Sequence, residues 1–555
     1  MKLRYRLLTL LAAATLAQAG PKLSNDLQSL TQAQDVDVIV QFNVVPTSSQ
    51  HSQVAGLGGQ FKRQLDIIKA AVYRITSGQL KKLEMNASVV YISPDRPVNA
   101  LLDYAYPTVG ADIARSYNCT GNGIGVAVID SGIMEHADLQ GTDFSNTQIV
   151  YQQTFVGSDT KDLHGHGTHV AGIIAGYGRE STGGGYIKTF RGVAPNVKLI
   201  NLRVLNAVGS GSDSGVIAAI DRAIQLKSQY NIRVINLSLG RPVLESYTTD
   251  PLCQAVERAW QAGIVVVAAA GNNGRDNSQS TDGYGTIASP GNDPFVITVG
   301  AMKTMGTLSR SDDLIASYSS KGPTGIDHVV KPDIVAPGNR IVSLLDIGGH
   351  LYKTYSDNLL LFSYYRSGAT GYSDKYYRLS GTSMAAPVVS GAAALMLQKD
   401  PSLTPDQMKA RLMKTATKSF PQYSTATDPE TGQTYTSQYD IFTIGAGYLD
   451  ILAALNNTDV AAGSAQSPIA VFDSKKSKVS LVYASGVTWG TGVTWGTGVI
   501  WGTNVVSSTG VCWGTGVVWG TGVTWGTGVV WGTGVVWGTN NPQPETTIVA
   551  IHGEN

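Results

Sequence analysis

Four short stretches of this 555-residue chain are almost entirely apolar, and segments of helix length separate them. They lie at 124–129, 197–204, 233–237 and 264–269. A strand that is apolar along its whole length must be covered on both faces, which is typical of parallel sheets. Two amphipathic segments between or beside these strands, 213–229 and 251–262, predict covering helices. We therefore expect an α/β fold with a doubly wound parallel sheet, whose functional groups lie at the carboxyl ends of the strands.

Charge and cysteine content exclude several classes of protein. Lys and Arg total 41 and Asp and Glu total 40, which gives a formal net charge of +1. A chain without a global field of one sign does not gather nucleic acid or anionic lipid, so we expect neither as a partner. Cys119, Cys253 and Cys512 are too few and too scattered for a disulfide framework or a CxxC metal site. Stability is expected to come from packing.

Residues 1–19 have the pattern of a secretory signal peptide. A basic start precedes an apolar stretch at 7–17, and Ala17-Gln18-Ala19 has the small-x-small form of a cleavage site. A first transmembrane helix is the alternative, but the stretch is shorter than the roughly 20 residues that a bilayer requires. No later segment is long and apolar enough to span a membrane. We expect a secreted protein, extracellular or at the cell surface.

Three segments carry the residue types of nucleophilic catalysis. Asp130 lies at the end of an apolar strand. His166 lies within His-Gly-His-Gly-Thr-His-Val-Ala-Gly at 164–172. Ser383 lies within Gly-Thr-Ser-Met-Ala-Ala-Pro at 381–387, where a helix begins. The chain order Asp, His, Ser is that of subtilisin, and it differs from the orders in chymotrypsin and the α/β-hydrolases.

Together with Asn272, in Val-Ala-Ala-Ala-Gly-Asn at 267–272, these motifs resemble those of the subtilase family over about residues 103–457. The resemblance implies a subtilisin-like sheet and a serine endopeptidase that hydrolyses peptide bonds of polypeptide substrates. It implies no cofactor for the chemistry. Structural calcium is frequent in this family, and Asp138 corresponds to a carboxylate ligand of one of the family's calcium sites. No ligand set can be identified from the sequence.

The residue types suit the chemistry. A serine hydroxyl is a poor nucleophile at neutral pH, so Ser383 needs a base, and His166 can take its proton and return it to the leaving amine. Asp130 is expected to bond the other ring nitrogen and fix the tautomer. The helix that begins at Ser383 offers a backbone N–H to the developing oxyanion, and Asn272 is expected to add a second donor.

Each assignment has a structural alternative. Asp130 could be a helix cap or turn former, and Asn272 an ordinary turn residue. Ser380 could be the nucleophile, with Ser383 only an N-cap. The histidines at 164, 166 and 169 could form a metal site, although their spacing lacks the usual H-x-x-x-H pattern. A catalytically silent relative would normally have lost one of the four motif residues, and none is lost.

Two further segments resemble the backbone that flanks substrate in the family. Peptides are expected to bind there by strand addition, which requires an extended edge with little side-chain bulk. The predicted substrate-binding residues are Gly209, Ser210, Gly211, Ser238, Leu239 and Gly240, with Ala270 and Gly271 in the pocket wall.

Residues 20–102 resemble the inhibitory propeptide of the family, a small α+β, ferredoxin-like βαββαβ unit. The alternation of apolar residues at 36–42 predicts a half-buried strand in it. The resemblance implies that this unit is an intramolecular inhibitor that the enzyme cuts off near 101–106. An independent binding domain is the alternative.

The C-terminal region changes character. A polar linker at 458–484, with a strand-like stretch at 478–483, precedes an array at 485–540 that repeats the hexad Gly-Val-x-Trp-Gly-Thr, and a tail follows at 541–555. The array holds eight of the nine Trp of the protein. Stacked tryptophans suit sugar rings, so we expect contact with a cell surface or polysaccharide. A surface-attached binding or adhesion protein that uses the repeats is the alternative function.

The even period of the hexad predicts that Val and Trp share one face of an extended chain. Such a strip should stack as a β-solenoid or pair as hairpins, whereas a Gly-rich disordered stalk is the alternative. The isolated 485–540 segment is expected to give strand-type circular dichroism and blue-shifted Trp emission. Random-coil spectra with water-exposed emission would contradict the ordered repeat.

Overall fold

A computed structural model describes residues 22–28, 34–95, 97–100, 108–141, 147–307, 309–428, 431–473, 478–482 and 553–554. The predicted signal peptide, the expected cleavage region at 101–106 and the hexad array lie outside the described residues.

The strands are β1 Asp35–Phe42, β2 Gln60–Leu65, β3 Ala70–Thr76, β4 Val89–Pro94, β5 Pro97–Ala100, β6 Gly125–Asp130, β7 Ile149–Thr154, β8 Lys198–Arg203, β9 Ser210–Ser212, β10 Ile232–Leu237, β11 Leu239–Gly240, β12 Val265–Ala269, β13 Ile297–Lys303, β14 Leu314–Ile315, β15 Ile334–Pro337, β16 Ile341–Leu344, β17 Leu359–Leu361, β18 Tyr372–Leu379, β19 Tyr423–Thr427, β20 Thr434–Gln438, β21 Ile469–Asp473 and β22 Lys478–Val482. The α-helices are α1 Asn25–Gln28, α2 Ser48–Ala55, α3 Leu80–Glu84, α4 Ala111–Ser116, α5 His166–Ala175, α6 Asp213–Gln225, α7 Lys227–Tyr230, α8 Pro251–Gln261, α9 His350–Thr354, α10 Thr382–Lys399, α11 Pro405–Thr415 and α12 Ile451–Asn456.

An eight-stranded sheet forms the centre of the molecule. Its strand order is β14-β13-β12-β10-β6-β8-β7, with β15 also paired to β13, and every pair except β13–β14 is parallel. The four predicted apolar strands are its adjacent members β12, β10, β6 and β8, and they are almost wholly buried. The expected α/β class with a parallel sheet is confirmed.

Two pairs of helices cover this sheet, α5 with α10 and α6 with α8. The predicted segment at 251–262 is α8, which Asp250 caps by accepting a bond from the Leu252 N–H at 2.9 Å. The predicted segment at 213–229 is divided, because α6 ends at Gln225 and a separate turn, α7, follows. The expected helix covers are therefore present, with one boundary that the periodicity did not show.

The N-terminal unit has the βαββαβ order expected for it. Its antiparallel sheet has the order β2-β3-β1-β4. Side chains alternate along β1, so that Val38 and Val40 enter the unit's own core, whereas Ile39 enters the core of the large domain. Val72 on β3 also points to the large domain. One face of the small sheet thus packs against the catalytic unit, and the other carries its own helices.

The folded unit continues beyond Asn457, inside the segment that we expected to be a linker. The Ala465 N–H donates to Asp406 Oδ1 at 2.6 Å, and the Val330 N–H donates to the Pro468 carbonyl at 2.8 Å. Strands β21 and β22 then form a hairpin. The polar composition of this segment did not indicate its packing, since the contacts are hydrogen bonds of backbone groups and polar side chains with residues far away in the chain.

Two free thiols, Cys119 and Cys253, are buried. Burial raises the pKa of the Cys253 thiol well above its ordinary value. Within the described residues, the structure has no helix that is both long and apolar enough to cross a membrane.

Candidate active site

The first pair of the site joins a strand end to a helix start. Asp130 is the last residue of β6 and His166 the first of α5. Asp130 Oδ1 lies 2.7 Å from His166 Nδ1, and the same oxygen accepts the Ser131 N–H at 2.7 Å. Both side chains are buried. An imidazole that is held through Nδ1 keeps Nε2 as the nitrogen that can exchange a proton.

This contact depends on a very close approach of α5 to the turn after β6. A Cβ placed on Gly167 would lie 2.1 Å from the Gly132 carbonyl oxygen. No side chain fits in that space, so the small residues of the motif permit the Asp130–His166 distance.

A buried carboxylate that the sequence analysis missed, Asp162, organises the same region. Its Oδ1 accepts the Ser131 hydroxyl at 2.9 Å and the Gly165 N–H at 2.7 Å. Its Oδ2 accepts the Thr168 N–H at 2.8 Å and the Thr168 hydroxyl at 2.7 Å. Asp162 therefore fastens the strand end to the first turn of α5. An Asp just before a glycine-rich helix start is the signal that could have found it, because such starts have unsatisfied N–H groups.

Ser383 lies in the first turn of α10 and is braced by Ser238. The Ser383 hydroxyl donates to the Ser238 carbonyl at 3.1 Å, and the Ser238 hydroxyl donates to the Ser383 carbonyl at 2.5 Å. The Asn236 amide donates to the Ser238 hydroxyl at 2.9 Å. The side chain of Ser238, predicted at the substrate, thus supports the serine helix.

Asn272 is oriented by the helix that carries Ser383. Its amide oxygen accepts the Thr382 N–H at 2.9 Å and the Thr382 hydroxyl at 3.1 Å. Its Nδ2 is buried and has no hydrogen-bond partner among the described residues. Burying an unpaired hydrogen-bond donor costs free energy. We therefore expect a hydrogen-bond acceptor to bind next to Asn272 Nδ2.

The other two histidines of the cluster are neutral at neutral pH. Burial, followed by the nearby His166, lowers the pKa of both His164 and His169 to about 3. His169 Nε2 lies 3.2 Å from the Tyr377 carbonyl oxygen, so this nitrogen is a donor. Among the residues that the structure describes, no three His, Cys, Asp or Glu side chains are grouped to hold a metal ion.

Asp138, which the family resemblance linked to a calcium site, accepts hydrogen bonds from the protein itself. It is completely buried, its Oδ1 accepts the Glu180 N–H at 3.0 Å, and its Oδ2 accepts the Tyr376 hydroxyl at 2.7 Å. Both carboxylate oxygens are therefore engaged by protein donors, and Asp138 stabilises the packing of its own loop.

The two predicted substrate segments lie on either side of one extended strand. β5 pairs antiparallel with β9 on one side and with β11 on the other. Val98 is opposite Gly211, and Ala100 is opposite Leu239. The predicted residues of both segments are thus brought together around a strand supplied by the chain itself, directly after the N-terminal unit.

The predicted pocket wall lies against α10. The Gly271 N–H donates to the Thr382 hydroxyl at 3.0 Å, and the Ala270 N–H donates to the Val299 carbonyl at 3.0 Å. Both residues are buried. The structure therefore places them next to the Asn272 and Thr382 pair.

Comparisons with known proteins agree with this geometry. The sequence model described as the Subtilase family (Peptidase_S8) matches residues 121–436, more than half of the chain. The chain belongs to the subtilase family. Serine protease AprX of Bacillus subtilis (strain 168) is 41% identical over 339 residues, 60% of this chain and 70% of that protein. Subtilisin DY of Bacillus licheniformis is 37% identical over 317 residues, 57% of this chain and 91% of that protein.

A solved structure shares the fold. The crystal structure of fervidolysin from Fervidobacterium pennivorans, described as a keratinolytic enzyme related to subtilisin, has a TM-score of 0.56 at 23% identity and covers 82% of this chain and 66% of that one. As a subtilase, the protein is a serine endopeptidase that acts on polypeptides, and subtilases need no cofactor for catalysis.

We predict that Asp162→Asn destabilises this subtilase and lowers kcat more than it raises KM. An amide offers one acceptor atom where the carboxylate offers two, so it leaves N–H groups of the α5 start unpaired, at about 1–3 kcal/mol each. Urea unfolding and peptide-hydrolysis kinetics measure the two effects. Asp159→Asn, in the same loop, is the control, because the Asp159 carboxylate accepts the Lys161 N–H at an exposed position. Equal behaviour of the two variants would contradict the role of Asp162.

Proposed function

We propose that this subtilase cuts peptide bonds with an Asp130, His166 and Ser383 triad and an oxyanion site that Asn272 completes. The buried contact between Asp130 and His166, at the sheet edge where α10 presents Ser383, is the observation that carries the proposal. It gives a histidine with a fixed tautomer, whereas the ring of His169 faces the Tyr377 carbonyl.

In the proposed reaction, His166 Nε2 takes the hydroxyl proton as Ser383 Oγ attacks the peptide carbonyl carbon. The carbonyl oxygen gains the charge, and two N–H donors receive it: the Ser383 backbone and Asn272 Nδ2. The imidazolium, stabilised by Asp130, then protonates the leaving amine. Water attacks the acyl-enzyme in the second half by the same proton path. For this, the Ser383 hydroxyl rotates from its bond with Ser238 toward the imidazole.

We predict that Ser383→Ala abolishes hydrolysis and fluorophosphonate labelling. In subtilisin, loss of the nucleophile or the base lowers kcat by on the order of 10⁶-fold, and we expect a similar scale here. Ser380→Ala is the matched control, because its hydroxyl lies against the Arg340 N–H at 3.4 Å and not in the triad. Full labelling of Ser383→Ala, or loss of labelling in Ser380→Ala alone, would indicate that Ser380 is the nucleophile.

We also propose that residues 20–102 are an inhibitory propeptide. The Asp95 carboxylate accepts the Ser214 N–H at 2.5 Å at the start of α6, where a negative charge is favourable. Arg63 donates to the Ser214 carbonyl at 2.9 Å and to the Phe155 carbonyl at 3.0 Å. The Tyr91 hydroxyl donates to Glu245. These contacts support a unit that directs β5 into the substrate cleft.

We predict that Ser383→Ala accumulates as an unprocessed precursor, whereas the wild-type protein is shortened near 101–106, because the proposed cut uses the enzyme's own site. N-terminal sequencing and mass spectrometry distinguish the two. Complete processing of the purified variant, in the absence of other proteases, would refute self-cleavage.

A separately made 20–102 fragment serves as the second arm of this experiment. Its own hydrophobic core supports independent folding. It is expected to inhibit the mature enzyme, and Asp95→Asn should weaken inhibition by roughly 10–100-fold, since a bond to a charged group contributes about 1.5–3 kcal/mol. Asp35→Asn is the control, because Asp35 accepts the Thr76 hydroxyl within the unit. Equal inhibition by both variants would show that Asp95 does not contribute to binding of the fragment to the enzyme.

Secretion and surface contact complete the proposal. The signal-peptide pattern of residues 1–19 supports export, and the Trp array at 485–540 supports contact with a cell surface or polysaccharide. Catalysis is not expected to require the array, which lies outside the match to the family at 121–436.

A further inference from the structure

The last residues of the chain return to the catalytic domain. Gly553 and Glu554 are described, and Glu554 is only 6% exposed. Glutamate is almost never buried unless it is paired. The burial of Glu554 therefore indicates a specific contact.

The Glu554 carboxylate lies between two buried cations. Arg275 Nη2 is 3.1 Å from Oε1, and Lys303 Nζ is 3.1 Å from Oε2. The Ser317 N–H donates to Oε1 at 2.9 Å, and the Ser317 hydroxyl donates to the same oxygen. Both cations are about as buried as the carboxylate, with side chains 5% and 4% exposed. Charged hydrogen bonds of this kind are the strong ones.

The site also binds the backbone of Glu554 and leaves no room for a side chain at position 553. The Asn339 side chain accepts the Glu554 N–H at 2.9 Å and donates to the Glu554 carbonyl at 2.9 Å. Gly553 has a φ of +76°, and a Cβ there would lie 2.2 Å from Ser380 Oγ. A residue other than glycine at 553 would collide with the domain and strain the backbone.

Arg275 is positioned by residues of the domain itself. Its guanidinium donates to Asp428 at 2.6 Å and to the Ser317 hydroxyl at 2.6 Å, and it lies 4.5 Å from the centre of the Tyr435 ring. A guanidinium held in this way is ready to receive a second carboxylate with little further loss of conformational freedom.

We propose that Arg275, Lys303, Ser317 and Asn339 form a binding site for a glycine-glutamate segment, and that its occupant is the chain's own C-terminus. The site acts as an intramolecular latch. Hairpin β21–β22 ends at Val482 and the latch begins at Gly553, so the chain contacts the domain both before and after residues 483–552. This assignment does not depend on the proposed triad or propeptide.

Carboxypeptidase digestion followed by mass spectrometry tests the latch on the full chain, in a Ser383→Ala background that cannot digest itself. Asn555 should be released and Glu554 should be retained. Glu554→Gln and Lys303→Met should each speed release of the residue at 554 by about tenfold or more, since a tenfold change corresponds to 1.4 kcal/mol. Glu545→Gln, the same change elsewhere in the C-terminal region, is the control. Release of the residue at position 554 at the same rate in the parent and the three variants would overturn the latch.

Peptide binding provides a readout that does not depend on variants of the domain. Labelled Ala-Ile-His-Gly-Glu-Asn, the sequence of residues 550–555, is added to the full-length Glu554→Gln protein, whose own tail should bind weakly. Fluorescence anisotropy should show saturable binding that is weakened about tenfold or more when the peptide glycine is replaced by alanine or the glutamate by glutamine. Equal binding of the three peptides would refute the proposed recognition.

Discussion

The contact between Thr382 and Asn272 is the interaction on which the arrangement of the site depends. The first N–H of α10 needs an acceptor, and the Asn272 carboxamide oxygen supplies it. The same bond fixes the orientation of the Asn272 carboxamide and so the position of its unpartnered Nδ2. In the proposed reaction, one contact would therefore both cap the helix and orient the oxyanion donor, and a change in the position of α10 would move Ser383 and Asn272 together.

The central sheet and the site residues were predictable from the sequence because they depend on local patterns. Continuous apolar strands predict a parallel sheet, and the sheet places Asp130 at the edge where helices begin. Small residues around His166 and Ser383 predict close packing. The structure joins Asp130 to His166, and it links Asn272 through Thr382 to the start of the helix that carries Ser383.

The residues that escaped prediction are those whose role depends on partners far away in the chain. Asp162 contacts Gly165 and Thr168 close to it in the chain, but its bond to Ser131 forms only where β6 and α5 meet. The bracing of Ser383 by Ser238 joins residues 145 positions apart. The packed stretch around Ala465 also contacts distant residues, such as Asp406 and Val330. The burial of Glu554 likewise requires Lys303 and Arg275, which are more than two hundred positions away in the sequence.

The shared core of the two folded units has a thermal consequence. Ile39, Leu65 and Val72 of the small sheet are buried against the catalytic unit, so separation of the units would transfer this face to water. Hydration of apolar surface raises the heat capacity and opposes separation through entropy near room temperature. This attraction weakens on cooling. The attraction between the small unit and the large domain is therefore expected to weaken in the cold, and the proposed inhibition by residues 20–102 would weaken with it.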